Sequence, residues 1–352
     1  MPAAKRRATS PDPTVKRRAK RVAAPPMPSY SINRENGEEE RLFAGWAREM
    51  DTRMENTTRI KISSYDLSRA LLGRRQLVPK TPQAELDYTG ADLNGLYIFT
   101  DKNDHEIAVA WFNAFSNRAA DQLYFTLMDY HEAAHVKEPT KAGADGQRSN
   151  PANYVTGDDV STGLAKITAM WTAVGQPHSA PVVASGVIAS GTSFAATIQL
   201  FENLRPLSFK VNGLFERVDP KGFRACVEAR EEALRRRADF RALTRDDILV
   251  MEGREVMWNR KSAKHKDRSD NKRLWAILKA LFGDREARGG ALKIHDLKLR
   301  LRYGHRDLLM IRGSLMDHEA EEWTQGQRIA VAHFTHATYM QYLGVEAPDP
   351  VE

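Results

Sequence analysis

A single cysteine, Cys226, occurs in the 352 residues. One thiol can neither close an intramolecular disulfide nor supply a cysteine-rich zinc module, so a secreted disulfide scaffold is excluded and a reducing compartment is expected. No apolar run approaches the roughly 18 residues of a membrane span. The charged N-terminus has no apolar stretch behind it, as a leader would. A soluble intracellular protein with no membrane partner is expected. Excess charge is also missing from most of the chain. Residues 1–22 carry eight Lys/Arg against Asp12, a local +7 equal to the whole net charge. Removing them from 53 Lys+Arg and 46 Asp+Glu leaves 45 of each sign over the other 330 residues. The pI near 9.4 is therefore a property of the first residues, not of a basic folded domain.

With 41% hydrophobic residues the chain can bury a sizeable core, as one large domain or two small ones. Residues 1–30 are read as a disordered basic tail, because Lys/Arg clusters and six prolines cannot bury enough apolar surface to offset chain entropy. The clusters Lys5-Arg6-Arg7 and Lys16-Arg17-Arg18-Ala19-Lys20-Arg21 are spaced like a bipartite nuclear import signal, which predicts nuclear localisation. An arm that attracts phosphate by counterion release is a compatible reading.

Residues 31–95 read as a helical and extended region, with helical spacing at Leu42, Phe43 and Trp46. Leu96–Phe112 reads as a β-hairpin around Lys102-Asn103-Asp104, and 137–163 as a long loop. Pro181–Phe201 is predicted β-rich, and Leu207–Val218 a further strand. Asp219 before Pro220 is a helix start, for a helix running to about Leu243. Leu297, Leu299, Leu301 and Tyr303 alternate with Lys298, Arg300 and Arg302 as in a half-buried strand; Leu308–Ile311 and Ile329–Thr335 add two more.

Two strings compete for a metal. His131-Glu132-Ala133-Ala134-His135 is an HExxH string, which on a helix places two histidines on one face for zinc and a glutamate as general base. Asp129 and Lys137 beside it stand where uncharged residues are wanted, and no third ligand is evident downstream. The second is His265-Lys266-Asp267 with His318 and Arg328. On an extended segment residues i and i+2 project to one side, and a later histidine completes the 2-His-1-carboxylate triad of non-haem Fe(II). Arg328, ten residues after His318, suits the distal carboxylate of a dicarboxylate cosubstrate.

Asn259, His265-x-Asp267, Trp275-Ala276-Ile277-Leu278, Gly289-Gly290-Ala291-Leu292, Leu297-x-Leu299-Arg300, Tyr303 to Asp307, Arg312-Gly313, His318, Trp323, Gly326-Gln327-Arg328 and Phe334-Thr335-His336 together resemble the TET/JBP-like 2-oxoglutarate/Fe(II) oxygenases expanded in fungi. The match spans about residues 250–340. It implies an α+β fold, a double-stranded β-helix (jelly-roll, cupin-like) flanked by helices, over 96–345, with 346–352 as a tail. It implies that His265, Asp267 and His318 bind Fe(II), that Arg328 binds 2-oxoglutarate, and that O2 takes the remaining metal position. Asn259 is assigned to the cosubstrate or substrate pocket. The Trp275–Leu278 run, helical by spacing, is implied to be a strand. Where the family usually has Pro-Gly before Asp307, this chain has His305-Arg306.

Arg254 to Arg273 contains eight basic residues against three acids, a collar of +5 beside the predicted ligands. Arg260, Lys261, Lys264, Lys266, Arg268 and Lys272 are candidate DNA contacts. With the import signal and the resemblance, they point to a monomeric enzyme acting on methylated duplex DNA, oxidising the methyl of 5-methylcytosine with the base flipped out. A protein hydroxylase or histone demethylase, a catalytically silent DNA-binding protein and the zinc protease are the alternatives. The remaining histidines, His336 included, read as surface or structural.

Overall fold

The computed structural model describes residues 37–76, 84–140, 150–157, 159–168, 170, 181–184, 187, 190–284, 287–324 and 326–352. The basic tail and its import signal lie outside the described residues. The chain runs through α1 (Glu38–Glu55), β1 (Thr58–Lys61), α2 (Leu67–Leu71), β2 (Leu86–Tyr88), β3 (Gly95–Thr100), β4 (Glu106–Phe112) and α3 (Asn117–Ala133). Next come β5 (Gly163–Thr168), α4 (Gly191–Asn203), α5 (Arg205–Val218), α6 (Pro220–Arg236) and α7 (Ala238–Leu243). The C-terminal third is β6 (Gly253–Trp258), β7 (Ser262–His265), β8 (Ala276–Phe282), β9 (Leu292–Ile294), β10 (Leu299–Leu301), β11 (Leu308–Ile311), β12 (His318–Ala320), β13 (Arg328–Phe334) and α8 (Ala337–Leu343).

The strands form two sheets, one in the order β1-β3-β4-β11-β8-β13-β6-β5 and the other β2-β10-β9-β12-β7. Pairing is antiparallel except for β1 on β3 and β2 on β10, so strands from before residue 95 join both sheets. The central strands of the larger sheet, β4, β11 and β8, are buried on both faces. Alternate residues along it divide between two cores. Ala276, Leu278, Ala280, Phe282, Leu309 and Ile311 face the smaller sheet's Leu292, Ile294, Leu299 and Leu301. Ile277, Leu281, Met310, Ile329 and Val331 face the helices. Two facing, mainly antiparallel sheets with helices on one outer face make the predicted double-stranded β-helix.

The hairpin is β3–β4, and β8, the segment with helical spacing, is a strand paired on both sides. Of the two β expectations after residue 181, the strand over Leu207–Val218 is overturned, and Pro181–Phe201 is helical from residue 191. α4 starts at Ser190, whose side chain accepts the Ser193 N–H, and α5 occupies the region expected as a strand. Leu207, Val211, Leu214 and Phe215 recur at i, i+4, i+7 and i+8, and all four are buried against the large sheet. Each such side chain contributes about 1.5–3 kcal/mol. Asp219 caps α6 by accepting the Gly222 N–H at 2.7 Å, with Pro220 in the first turn as predicted. That helix stops at Arg237, which is extended, and α7 follows separately.

Candidate metal centre

β7 ends at His265 and β12 begins at His318, and the two residues are cross-strand partners. Asp267 returns to the same point because its N–H donates to Gly313 O at 3.1 Å. His265 Nε2 lies 3.4 Å from Asp267 Oδ1, and His318 Nε2 lies 3.5 Å from Oδ2. One potential ligand atom from each of the three residues lies within 4.8 Å of the others. Each ring places Nδ1 against a main-chain carbonyl, Ala263 O at 2.8 Å for His265 and Met316 O at 3.0 Å for His318. A carbonyl only accepts, so Nδ1 carries the proton and the Nε2 lone pair is left free for a metal. Two imidazoles and one carboxylate on one face are a donor set that suits Fe(II) with three open positions.

Burial pushes the Asp267 carboxyl up, but without an ion a protonated His265 donates from Nε2 to Asp267, and this bond with the charge of His318 outweighs burial and holds the carboxyl below the usual carboxylate range; a metal would take the place of that Nε2 proton. His265 is raised by its bond to Asp267, whereas burial lowers His318. Space is reserved as well. A Cβ on Gly313 would stand 2.4 Å from Asp267 Oδ2, so only glycine leaves the carboxylate where it is. Lys266, between the two ligands, reaches across to the turn before His318: its Nζ donates to Leu315 O at 2.9 Å and lies 3.8 Å from Asp296 Oδ2. Asp296 in turn accepts the Asp317 N–H at 2.5 Å.

Arg328 opens β13 and projects between the sheets, 2% exposed, with Tyr303, Trp323 and Phe282 around its guanidinium at 5.0, 5.1 and 5.8 Å. Its Nε and Nη2 are buried without a hydrogen-bond partner, and burial lowers its pKa. An unpaired buried cation is costly, and it fits a dicarboxylate that brings its own negative charge. Gly290, at φ +68°, gives the guanidinium room, since a Cβ there would lie 3.4 Å from Nε. Asn259, at φ +52°, is bonded to the same residue: its Oδ1 accepts the Arg328 N–H at 2.5 Å and its N–H donates to Arg328 O at 2.8 Å. The Asn259 Nδ2 is buried and unpartnered. The structure thus brings His265, Asp267 and His318 together, and Asn259 together with Arg328.

A second polar cluster was not singled out from the sequence. His336 Nδ1 lies 2.9 Å from Glu252 Oε2, and its Nε2 lies 3.2 Å from Lys166 Nζ and 4.0 Å from Asp270 Oδ1. The Phe334 ring is 4.8 Å from the His336 ring. Burial, then the Asp267 and Glu252 carboxylates, push Asp270 well above the usual carboxylate range. Asp270 follows Asp267 by three residues, the one signal that could have marked it.

The collar is smaller than its sequence count. Arg254 is 1% exposed and bonded to both Asp247 oxygens and to Ser208, so it faces the core. Arg260 pairs with Glu255 at 3.1 Å and Arg273 with Glu346 at 2.8 Å. Lys272 Nζ donates to Leu71 O at 2.9 Å. Lys261, Lys264, Arg268 and Lys272 are exposed, and Lys266 is drawn into the clasp beside the triad.

The HExxH string makes no metal cluster. α3 ends at Ala133, so His135, at φ +50°, has left the helix. His131 places Nε2 3.0 Å from Thr162 O, and Glu132 is exposed. Among the described residues, His265, Asp267 and His318 are the group of histidines and acids close enough to share an ion.

The two sheets form the double-stranded β-helix expected from the sequence, and His265, Asp267 and His318 converge where β7 and β12 of the smaller sheet meet. No protein-family model and no curated protein matches the sequence. Solved structures do. NgTET1 in complex with 5mC DNA is 13% identical at a TM-score of 0.47, covering 72% of this chain and 83% of that one. OsALKBH1 is 11% identical at 0.30, covering 65% and 96%. The dioxygenase for auxin oxidation (DAO) in rice is 9% identical at 0.29, covering 80% and 83%. At these identities the likeness concerns the fold alone.

Proposed function

We propose that the protein is an Fe(II)- and 2-oxoglutarate-dependent oxygenase of the TET/JBP-like kind that oxidises a modified base in DNA, in first place the methyl group of 5-methylcytosine. The observation that carries the chemistry is the pair of imidazoles whose Nδ1–H groups are spent on main-chain carbonyls, leaving both Nε2 atoms aimed with Asp267 at one point. When bound there, iron with 2-oxoglutarate and O2 supplies an oxidant for a C–H bond, and the cosubstrate leaves as succinate and CO2. The protein supplies the rest. His265, Asp267 and His318 hold the metal on one face. Arg328 takes the distal carboxylate of 2-oxoglutarate, and Asn259 fixes the backbone of Arg328. The packed rings of Phe282, Tyr303 and Trp323 exclude water from that end of the pocket.

For the substrate, support comes from the cluster beside Asp267. Asp270, half-buried, and His336, buried beside the Phe334 ring, suit the hydrogen-bonding edge and face of a flipped heterocycle. Exposed cations at Lys261, Lys264, Arg268 and Lys272 would meet phosphates, and the basic clusters at 5–7 and 16–21 would direct the chain to the nucleus. The test is mass spectrometry of a methylated duplex incubated with the protein, Fe(II), ascorbate and 2-oxoglutarate. Oxidised cytosine products, absent with His265→Ala, are expected. Succinate release on peptides with the duplex unchanged would move the substrate to protein; no succinate on any substrate would leave a DNA-binding protein without turnover.

A further inference from the structure

A cleft of about 640 Å³ opens beside the metal loop, between residues 268–273, the Ser314-Leu315 turn, and α8 with the segment after it. Its volume falls within the roughly 300–1,000 Å³ that accommodates small ligands. One wall is cationic, with Arg268, Lys272 and Arg273; the other is apolar, with Met340 and Val345. At the turn, the Ser314 Oγ is shut off from solvent with no hydrogen-bond partner. The acids on the cleft are already engaged. Glu346 is bonded to Arg273 at 2.8 Å, and Asp270, half-buried, lies 4.0 Å from His336 Nε2. Lys272 gives one N–H to Leu71 O and, as an ammonium, keeps two. Arg268 is exposed.

The cleft is joined to the triad through covalent neighbours on both sides. Arg268 follows Asp267, Ser314 follows Gly313, and Asp267 and Gly313 are themselves hydrogen-bonded. The lining of the cleft thus begins one residue after Asp267 and one residue after Gly313. A groove with cations on one wall and apolar carbon on the other matches a polynucleotide strand, which presents phosphates on one side and sugar and base on the other.

We propose that this cleft holds the phosphodiester strand flanking the base presented to the metal, with Arg268 and Lys272 on its phosphates. The proposal rests on the DNA-oxidation reading above, and makes Arg268 and Lys272 the residues that set affinity for the strand without touching the reacting base. Each phosphate contact steepens the salt dependence of binding by about one counterion.

The test measures binding of a fluorescent methylated duplex to the full-length protein across a series of salt concentrations, with 2-oxoglutarate affinity measured in parallel. Arg268→Ala is expected to lower the salt slope by about 1, and Arg268→Ala with Lys272→Ala by about 2, with affinity at low salt down on the order of ten-fold. 2-Oxoglutarate affinity should not change. Wild-type slope and affinity in the double variant, while the wild type binds DNA, overturn the cleft and leave the oxidation reading standing. A wild type that binds no DNA overturns both. Inorganic phosphate that displaces the duplex from the wild type, at an ionic strength where chloride does not, would make the cleft a site for the free anion and overturn the strand assignment.

Discussion

His265 and His318 face each other across the β7–β12 ladder, and each ring is turned by the same device, a bond from Nδ1 to the carbonyl two residues earlier, Ala263 or Met316. Because both supports are main chain, the ligand geometry is set by strand pairing before any ion arrives. Asp267→Asn should therefore keep the fold and weaken Ni(II) or Co(II) binding more than 100-fold, since a neutral amide replaces the charged ligand. Calorimetric metal titration checks this, and near-native affinity in the variant would refute the assignment of Asp267.

Gly313→Ala tests the reserved space. A Cβ there falls 2.4 Å from Asp267 Oδ2, inside any real contact, so the carboxylate must swing away. Metal affinity should fall in this variant. A crystal structure should show Asp267 displaced, with His265 and His318 still paired across the ladder. An unmoved Asp267 would show that the glycine has another role.

Much of this site was legible in the sequence, for a local reason. His265-x-Asp267 is a period-two pattern that puts both side chains on one side of an extended segment, and the alternation through Leu299 and Leu301 marks β10, although Leu297 lies in a 3-10 turn that ends on Lys298 at φ +49°. What could not be read depends on partners far along the chain. Lys266 meets Leu315 49 residues away, so as sequence it was one more cation in a basic run. Arg254 looked the same and is buried on Asp247 and Ser208. The α5 error had a different cause. The buried residues of Leu207–Val218 recur every three to four positions, and that period makes a helix of the expected strand.

Lys266→Ala separates two roles for one residue. Its ammonium holds the Leu315 carbonyl in the turn whose Met316 carbonyl orients His318. Loss of such an outer support typically costs about 10- to 100-fold in metal affinity. The salt slope of DNA binding should stay at the wild-type value. The reverse result, unchanged metal affinity with a slope lowered by about 1, would make Lys266 a phosphate contact instead.

Arg328→Met should divide stability from function. The guanidinium is 2% exposed with two nitrogens unpartnered, so without cosubstrate it destabilises the fold. Methionine removes that cost, and the variant measured without 2-oxoglutarate should be as stable as the wild type or up to about 1–3 kcal/mol more stable. 2-Oxoglutarate should raise the melting temperature of the wild type and leave the variant unmoved. A variant that is still stabilised by 2-oxoglutarate would place the cosubstrate elsewhere.

His333 gives the acid limb of stability. It is fully buried on β13, with Nδ1 2.9 Å from Ile277 O, and burial, reinforced by the charge of Arg254, lowers its pKa to about 3. Unfolded, the ring titrates at about 6.5. The unfolded chain therefore binds the proton first as pH falls. The stability tied to the neutral ring is complete above about pH 6.5 and drains away toward pH 3. Between pH 7 and pH 4.5 the loss should be about 2–3 kcal/mol from this residue. Urea unfolding of the wild type and His333→Leu across that range checks it. The variant starts lower, having lost the bond to Ile277 O, and its curve should be flatter by that amount; parallel curves would show that His333 is protonated in the folded protein as readily as in the unfolded chain.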